Sequence, residues 1–293
     1  MIADVGAPLS WNPLDDVRQL FAFHFMVNAF RAGTLVAVAA ALIGWFMVLR
    51  RQSFAGHTLA LVGFPGAAGA TLLGVAAAWG FFGFCTVAAL VIAGLPRAGG
   101  RGYGEESAVI GTVQAFALGC GFLFVTLYAG ALNGVNALLF GSFLGIADGQ
   151  VAALAGETVA AWAVLVLIAR PLLFASVEPD VAAARRVPVR ALSVGFLVLL
   201  GLTVAAVSQI TGTLLVFALL VMPAATAQVL TARPAPSAAI AVVIALLVTW
   251  AGLTFAYYSP YPIGFYVTTF AFAGYVAAQA LRRGRARRRP ADR

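Results

Sequence analysis

The sequence contains no lysine, and only 10% of its 293 residues are charged. A Walker A loop needs a lysine to reach the phosphates of a nucleotide, so the chain lacks the means to bind ATP in that way. The scarcity of charge, together with 62% hydrophobic residues and a mean hydropathy of +0.99, also excludes an ordinary water-soluble domain. The composition predicts an integral membrane protein, and we expect any ATP-driven work to come from a partner.

Cysteine and histidine are also rare, with two residues of each in the chain. Cys85 and Cys120 fall within apolar segments and form no C-x-x-C pattern, which favours small packing residues over redox or metal-binding thiols. The sequence therefore predicts no catalytic residue and no cofactor bound by this chain.

Long apolar segments fill most of the sequence, and each span needs about 20 such residues to cross a hydrocarbon core of about 30 Å. The predicted spans are residues 25–49, 54–78, 81–95, 107–128, 150–174, 190–208, 211–231, 236–257 and 262–281. The third is short, and only the sequence SQITG separates the sixth from the seventh, so eight or ten spans also fit. The predicted fold class is an all-α polytopic membrane bundle of about nine helices, some short or broken, in a single domain over residues 1–293.

The arginines are distributed unevenly along the chain. Basic loops remain on the cytoplasmic side, and only Arg18 and Arg31 fall toward the opposite side of the predicted spans. This pattern predicts a multi-pass protein of the plasma (inner or cell) membrane, with an external amino-terminal segment over residues 1–24. The basic tail, residues 282–293, is expected in the cytoplasm. No aromatic residues interleave with its arginines, which favours contact with membrane lipids over binding to nucleic acid.

One segment places an ionisable side chain and helix breakers inside apolar sequence. His57 lies about two helical turns beyond Arg50 and Arg51, near the expected cytoplasmic end of the second span. A neutral histidine there can bind metal, transfer a proton or satisfy a buried hydrogen bond. Pro65 frees a backbone group and Gly66 permits close helix approach, which fits either a transport pathway or a packing kink.

Glu157 lies inside the fifth predicted span. A charged residue at the centre of a span costs about 2.5–3.5 kcal/mol on insertion scales, and it needs a partner or water. Asp148 and Gln150 place the membrane boundary nearby. Glu157 can therefore line a pathway or lie in the interfacial layer, and the sequence leaves both interpretations open.

Four segments in order form a recognisable series of motifs. They are RRQSFAGHTLALVGFPG (50–66), NALLFGSFLG (136–145), LLFASVEPDVAAARRVPVR (172–190) and TGTLLVFALLVMPAATAQVL (211–230). Together they resemble the membrane permeases of the zinc and manganese family of ABC transporters. The first segment departs from the family pattern, because His57 and Leu61 occupy the positions where the family has an aspartate and a histidine. The resemblance implies that His57 is a transient metal ligand, or that the substrate passes with little direct coordination.

The resemblance also assigns roles to the third and fourth segments. Residues 176–190 are expected to form a cytoplasmic coupling helix that docks on an ATPase, with Glu178, Pro179 and Asp180 near its start; ordinary surface capping is the alternative. Pro223 and its small neighbours are expected beside the translocation pathway, and ordinary core packing is the alternative.

As a member of such a family, the chain is expected to be the permease subunit of an ATP-driven metal importer. Zinc is the first expectation and manganese or another metal or metal chelate the second. The implied partners are cytoplasmic ATPase subunits holding ATP and magnesium, an extracytoplasmic metal-binding protein and a second permease copy in a homodimer. A proton-coupled secondary transporter is the rival of a different class, since broken spans and Glu157 fit that mechanism as well. The sequence does not distinguish import from export.

Overall fold

A computed structural model describes residues 13–94, 103–127, 139, 141 and 145–287 of the chain. Over these residues the protein is helical and forms no strand, which confirms the predicted fold class. The helices are α1 (Pro13–Ala22), α2 (His24–Leu49), α3 (Ser53–Leu72), α4 (Ala77–Gly94), α5 (Tyr103–Leu127), α6 (Asp148–Val177), α7 (Pro179–Ala184), α8 (Val189–Leu230), α9 (Pro234–Tyr257) and α10 (Ile263–Arg287).

Seven of the described helices are long and apolar enough to cross a membrane. They are α2, α4, α5, α6, α8, α9 and the part of α10 from Ile263 to Gly284. The 42-residue α8 contains two predicted spans, and α3 is a further 20-residue helix with His57, Pro65 and several glycines in its sequence. Counted in this way, the described helices agree with the predicted bundle of about nine.

The break inside α8 lies at Gly212, where φ is 73° and ψ is 162°. This backbone conformation is disfavoured for residues with a Cβ, so a glycine allows the chain to change direction between two apolar halves. The predicted sixth and seventh spans therefore join without a loop. Sequence reasoning expected the interruption at the polar stretch from Ser208 to Gly212, and the structure places it at the glycine.

Some helix bounds differ from the predicted spans. The second span was expected to continue to residue 78, but α3 ends at Leu72 and the chain turns at Gly74, which has a φ of 71°. Helix α6 extends three residues beyond the predicted span, to Val177. Helix α10 continues to Arg287, into the basic tail, because arginine and alanine both favour a helix.

The chain forms two compact units, and one consists of Phe46–Ser142 and Leu154–Phe217. In this unit α3 packs on α4 and α5. Thr58 of α3 donates a hydrogen bond to Oε1 of Gln114 in α5 at 2.8 Å, and the Cys85 thiol of α4 donates to the carbonyl of Leu59 at 3.4 Å. Cys85 is fully buried and forms no disulfide, as expected for a packing residue.

The other unit consists of Met1–Trp45, Phe143–Ala153 and Ala218–Arg293. Helices α9 and α10 pack together in this unit. Trp45 links α2 to the start of α9 and to the end of α8. Its indole donates to Ser237 Oγ at 2.9 Å, and its carbonyl accepts from Gln228 Nε2 at 2.9 Å. These buried polar groups are therefore paired between helices, as an apolar environment requires.

Candidate transport pathway and coupling segment

Helix α3 approaches α4 at backbone distance around Gly66. A Cβ on Gly66 would overlap the carbonyl oxygen of Gly80, and a Cβ on Gly80 would overlap the carbonyl oxygen of Gly66. Only glycine at both positions permits this contact without displacing a helix. Pro65 is buried next to it and lies close to Gly121 of α5. Pro65 and Gly66, two of the three predicted pathway residues of α3, therefore belong to a tightly packed helix contact.

His57 lies one turn into α3 and is half-buried. Its ring packs on Phe217 with the ring centroids 4.6 Å apart. The Nδ1 atom is buried and has no hydrogen-bond partner among the described residues. A buried ring nitrogen without a partner is costly unless something else supplies a proton or takes the lone pair. This atom is the chemical feature that the metal-ligand interpretation requires.

Glu157 lies in α6, in the same compact unit as His57, Pro65 and Gly66. It is nine residues from the start of the helix, and this spacing corresponds to about 14 Å along a helix about 45 Å long. Within the described residues Glu157 forms no ion pair. Adjacent Thr158 is buried, and its hydroxyl has no partner among those residues. The structure thus gives Glu157 no described bond to the other predicted site residues.

Pro223 is buried in the second half of α8 and belongs to the other compact unit. The kink that precedes this half contacts another of the four sequence segments, since a Cβ on Gly141 would overlap the backbone at Thr211 and Gly212. The second and fourth family-like motifs therefore meet at the break in α8. Among the described residues, no group of three or more histidine, cysteine, aspartate or glutamate side chains is placed to hold a metal.

The predicted coupling segment contains the six-residue helix α7. Glu178 is its N-cap residue and Pro179 occupies its first turn, where the missing amide proton of proline costs no hydrogen bond. Glu178, Pro179 and Asp180 are all exposed, and Val177 and Val181 also leave large fractions of their side chains exposed, 60% and 45%. The segment thus presents two carboxylates beside apolar side chains on an exposed turn.

Arg50, at the end of α2, holds both flanks of the coupling segment. Its Nη1 donates to Ser176 Oγ at 2.9 Å and its Nη2 donates to Ser193 Oγ at 2.6 Å. Its guanidinium also lies over the Phe196 ring, 5.5 Å from the centroid. Ser176 precedes α7 and Ser193 follows it, so one side chain fixes the two chain ends from which α7 projects. We call these contacts the Arg50 clamp.

The family model described as the ABC 3 transport family matches residues 22–282. The chain belongs to the ABC 3 transport family. The match covers the described core of both compact units and all four motifs, and it confirms the resemblance recognised from the sequence. As a member of this transport family, the chain is a membrane transport subunit and not an enzyme, and ATP hydrolysis belongs to a separate subunit.

The chain is also similar to two transport proteins whose names state a metal. The chain is 31% identical to the chelated iron transport system membrane protein YfeC of Yersinia pestis, over 84% of this chain and 82% of that protein. It is 26% identical to the manganese transport system membrane protein MntC of Halalkalibacterium halodurans, over 81% and 80%. The solved structure of PsaBC from Streptococcus pneumoniae in complex with Fab superimposes with a TM-score of 0.80 at 24% identity, covering 90% of this chain and 94% of that one. The ABC 3 fold thus extends over nearly the whole chain.

The family motifs could be recognised in the sequence, but the Arg50 clamp could not be predicted from it. Arg50 was interpreted only as a marker of the cytoplasmic side, because an arginine after a span is a common topological signal. Its partners Ser176 and Ser193 lie more than 120 positions further along the chain. No local spacing connects residues that far apart, so only the packed structure identifies them as a set.

Proposed function

We propose that this chain is the membrane permease of an ATP-driven importer for a divalent transition metal. The observation that carries the proposal is the match of residues 22–282 to an ABC transport family, together with a half-buried histidine whose Nδ1 is unpaired at the position where the family motif has a ligand. Imidazole is a suitable ligand for such metals, and a single one per chain holds an ion weakly enough to release it.

Manganese is our preferred substrate. The two relatives described above are named for manganese and for chelated iron, which favours manganese over zinc, the metal first expected from the sequence. In the proposed assembly two permease copies bring one His57 each to a shared pathway, which continues past Pro65 and Gly66 of the same unit. Pro223, in the other unit, stays a proposed pathway residue on the family motif alone. An extracytoplasmic binding protein delivers the metal, and the amino terminus lies outside.

Coupling to ATP hydrolysis uses α7. Glu178, Pro179 and Asp180 present the exposed turn that docks on a cytoplasmic ATPase, and the Arg50 clamp connects this turn to the α2–α3 corner. His57 is about one turn beyond that corner, so a displacement of α3 is transmitted to the coupling helix through short, hydrogen-bonded connections.

The test is uptake of manganese into vesicles that contain the permease with its ATPase and binding protein. We expect uptake that requires ATP and does not follow an imposed proton gradient. Uptake driven by a proton gradient without ATP would favour the secondary-transporter alternative instead.

The ligand role of His57 is tested in the same vesicles with two opposite changes. His57→Gln keeps hydrogen bonding but removes the imidazole, and we expect the half-saturating manganese concentration to rise by about tenfold or more. Leu61→His adds an imidazole four residues away on the same helix face, and it should lower that concentration. If neither change alters the manganese dependence while the complex still assembles, His57 is not a ligand, although the transporter assignment stands.

A further inference from the structure

His24 and Asp148 are brought together from distant parts of the chain, at the start of α2 and the start of α6. His24 Nε2 lies 3.2 Å from both carboxylate oxygens of Asp148. Both side chains are largely exposed, at 71% and 70%. The chain has two histidines, and neither the family motifs nor the proposed pathway uses this one.

A buried amide holds this pair in place. Asn28, one turn beyond His24, is only 1% exposed, and its Nδ2 donates to Asp148 Oδ1 at 2.9 Å and to the carbonyl of Ile146 at 3.0 Å. The same nitrogen lies 3.5 Å from His24 Nε2. Asn28 thus fixes one carboxylate oxygen and the backbone just before α6. Its own Oδ1 is buried without a partner among the described residues.

Asp148 is not needed as the cap of α6. The backbone amide of Ala147, the residue before α6, donates to Oε1 of Gln150 at 3.0 Å, which is one half of a capping box. Asp148 is the first residue of α6, and its carboxylate is directed toward His24 and Asn28. An exposed ion pair of this kind adds little stability, roughly 0–1 kcal/mol as a class, so stability alone is a weak reason for this arrangement.

The distance between the two side chains matches a metal site. With metal–ligand bonds of about 2.1 Å, adjacent ligand atoms lie about 3.0 Å apart in an octahedral site and about 3.4 Å apart in a tetrahedral one. The 3.2 Å between His24 Nε2 and Asp148 Oδ1 falls between these values. The separation of these two atoms is therefore compatible with both binding the same metal ion.

We propose that His24 and Asp148 form a receiving site for manganese, separate from His57, with Asn28 as the positioning residue. This inference rests on the proposed function. The arginine distribution places both residues on the external side, where metal enters. Two protein ligands leave several positions for water, which makes the binding of a cation weak. A site of this kind captures an ion briefly and releases it toward the pathway.

The two-histidine content allows a direct binding test. In the His57→Gln chain, His24 is the only histidine, so its modification by diethyl pyrocarbonate in membrane nanodiscs reports this site alone. Coordination of Nε2 by Mn²⁺ should slow the modification, whereas Mg²⁺, which prefers oxygen ligands, should not. Adding Asp148→Asn should raise the Mn²⁺ concentration for half protection by about tenfold or more. Adding Glu157→Gln, on the same helix, should leave it unchanged.

Peptide mass spectrometry of the unmodified wild-type sequence separates His24 from His57 and repeats the measurement without a background substitution. If Mn²⁺ fails to slow His24 modification, or protects equally well after Asp148→Asn, the pair is only a clasp between α2 and α6 and the receiving site is refuted. Transport without His24 protection refutes this site alone. Protection without any ATP-driven metal uptake refutes the proposed function alone, because the readout at His24 does not depend on transport.

Discussion

Removal of the Arg50 guanidinium should abolish the hydrogen bonds that hold the two segments flanking the coupling helix α7. Arg50→Met keeps a long apolar side chain in the same space but cannot donate to Ser176 or Ser193. The two serines flank α7 on either side, so the substitution releases both ends of the exposed turn while leaving α7 itself unaltered. We expect assembly with the ATPase to continue and productive coupling to fail.

The size of the effect follows from the contacts. A hydrogen bond to a charged donor contributes about 1.5–3 kcal/mol, and the Arg50 bonds to Ser176 and Ser193 are 2.9 and 2.6 Å long. The guanidinium over Phe196 adds about 0.5–1 kcal/mol. Because contacts that share one side chain are not additive, we take about 3 kcal/mol as the strength of the clamp. A loss of this size reduces the population of the clamped arrangement by about a hundredfold.

The assay is manganese uptake and ATP hydrolysis measured together in vesicles containing the complete transporter. Arg50→Met should lower uptake by about tenfold or more while ATP hydrolysis falls less, so that more ATP is used per ion. Arg50→Lys should rescue part of the uptake, because a lysine keeps the charge but lacks the forked geometry that reaches two serines. Arg233→Met, an exposed position in the other unit, removes an equal charge and serves as control. If Arg50→Met and Arg233→Met take up the same number of manganese ions per ATP hydrolysed, the Arg50 clamp has no role in coupling.

Two further predictions concern helix packing and docking. Gly80→Ala should destabilise the protein by about 1–3 kcal/mol, because its Cβ would overlap the Gly66 backbone. The control is Gly83→Ala on the same helix, where a Cβ meets no described atom within 4 Å, and it should not lower the melting temperature. Equal melting temperatures of the two variants would contradict the close contact. The combined change Glu178→Gln and Asp180→Asn should weaken ATPase binding by about tenfold, or about 1.4 kcal/mol, with membrane insertion intact. If pull-down titrations show an unchanged affinity, these carboxylates only cap the helix at the surface and do not bind the ATPase.

The sequence by itself determined the class of protein. Few charges and long apolar segments leave a membrane as the only solvent in which this chain can fold, and the order of four motifs identified the transport family. These features are local, because composition, span length and motif order can be read along the chain without knowing what packs against what. The helix bounds were mostly predicted for the same reason; the break near Gly212 was expected, whereas α3 ends earlier than predicted, before the turn at Gly74.

Tertiary structure alone decided which polar residues act together. Arg50 lies 126 positions from Ser176, and His24 lies 124 positions from Asp148, so neither set leaves a pattern in the sequence. In each case a residue that has no evident role on its own helix gains one from a partner that packing brings within hydrogen-bonding distance. The same reason explains His57, whose place in the motif is local but whose unpaired Nδ1 depends on the residues that surround it, Phe217 among them.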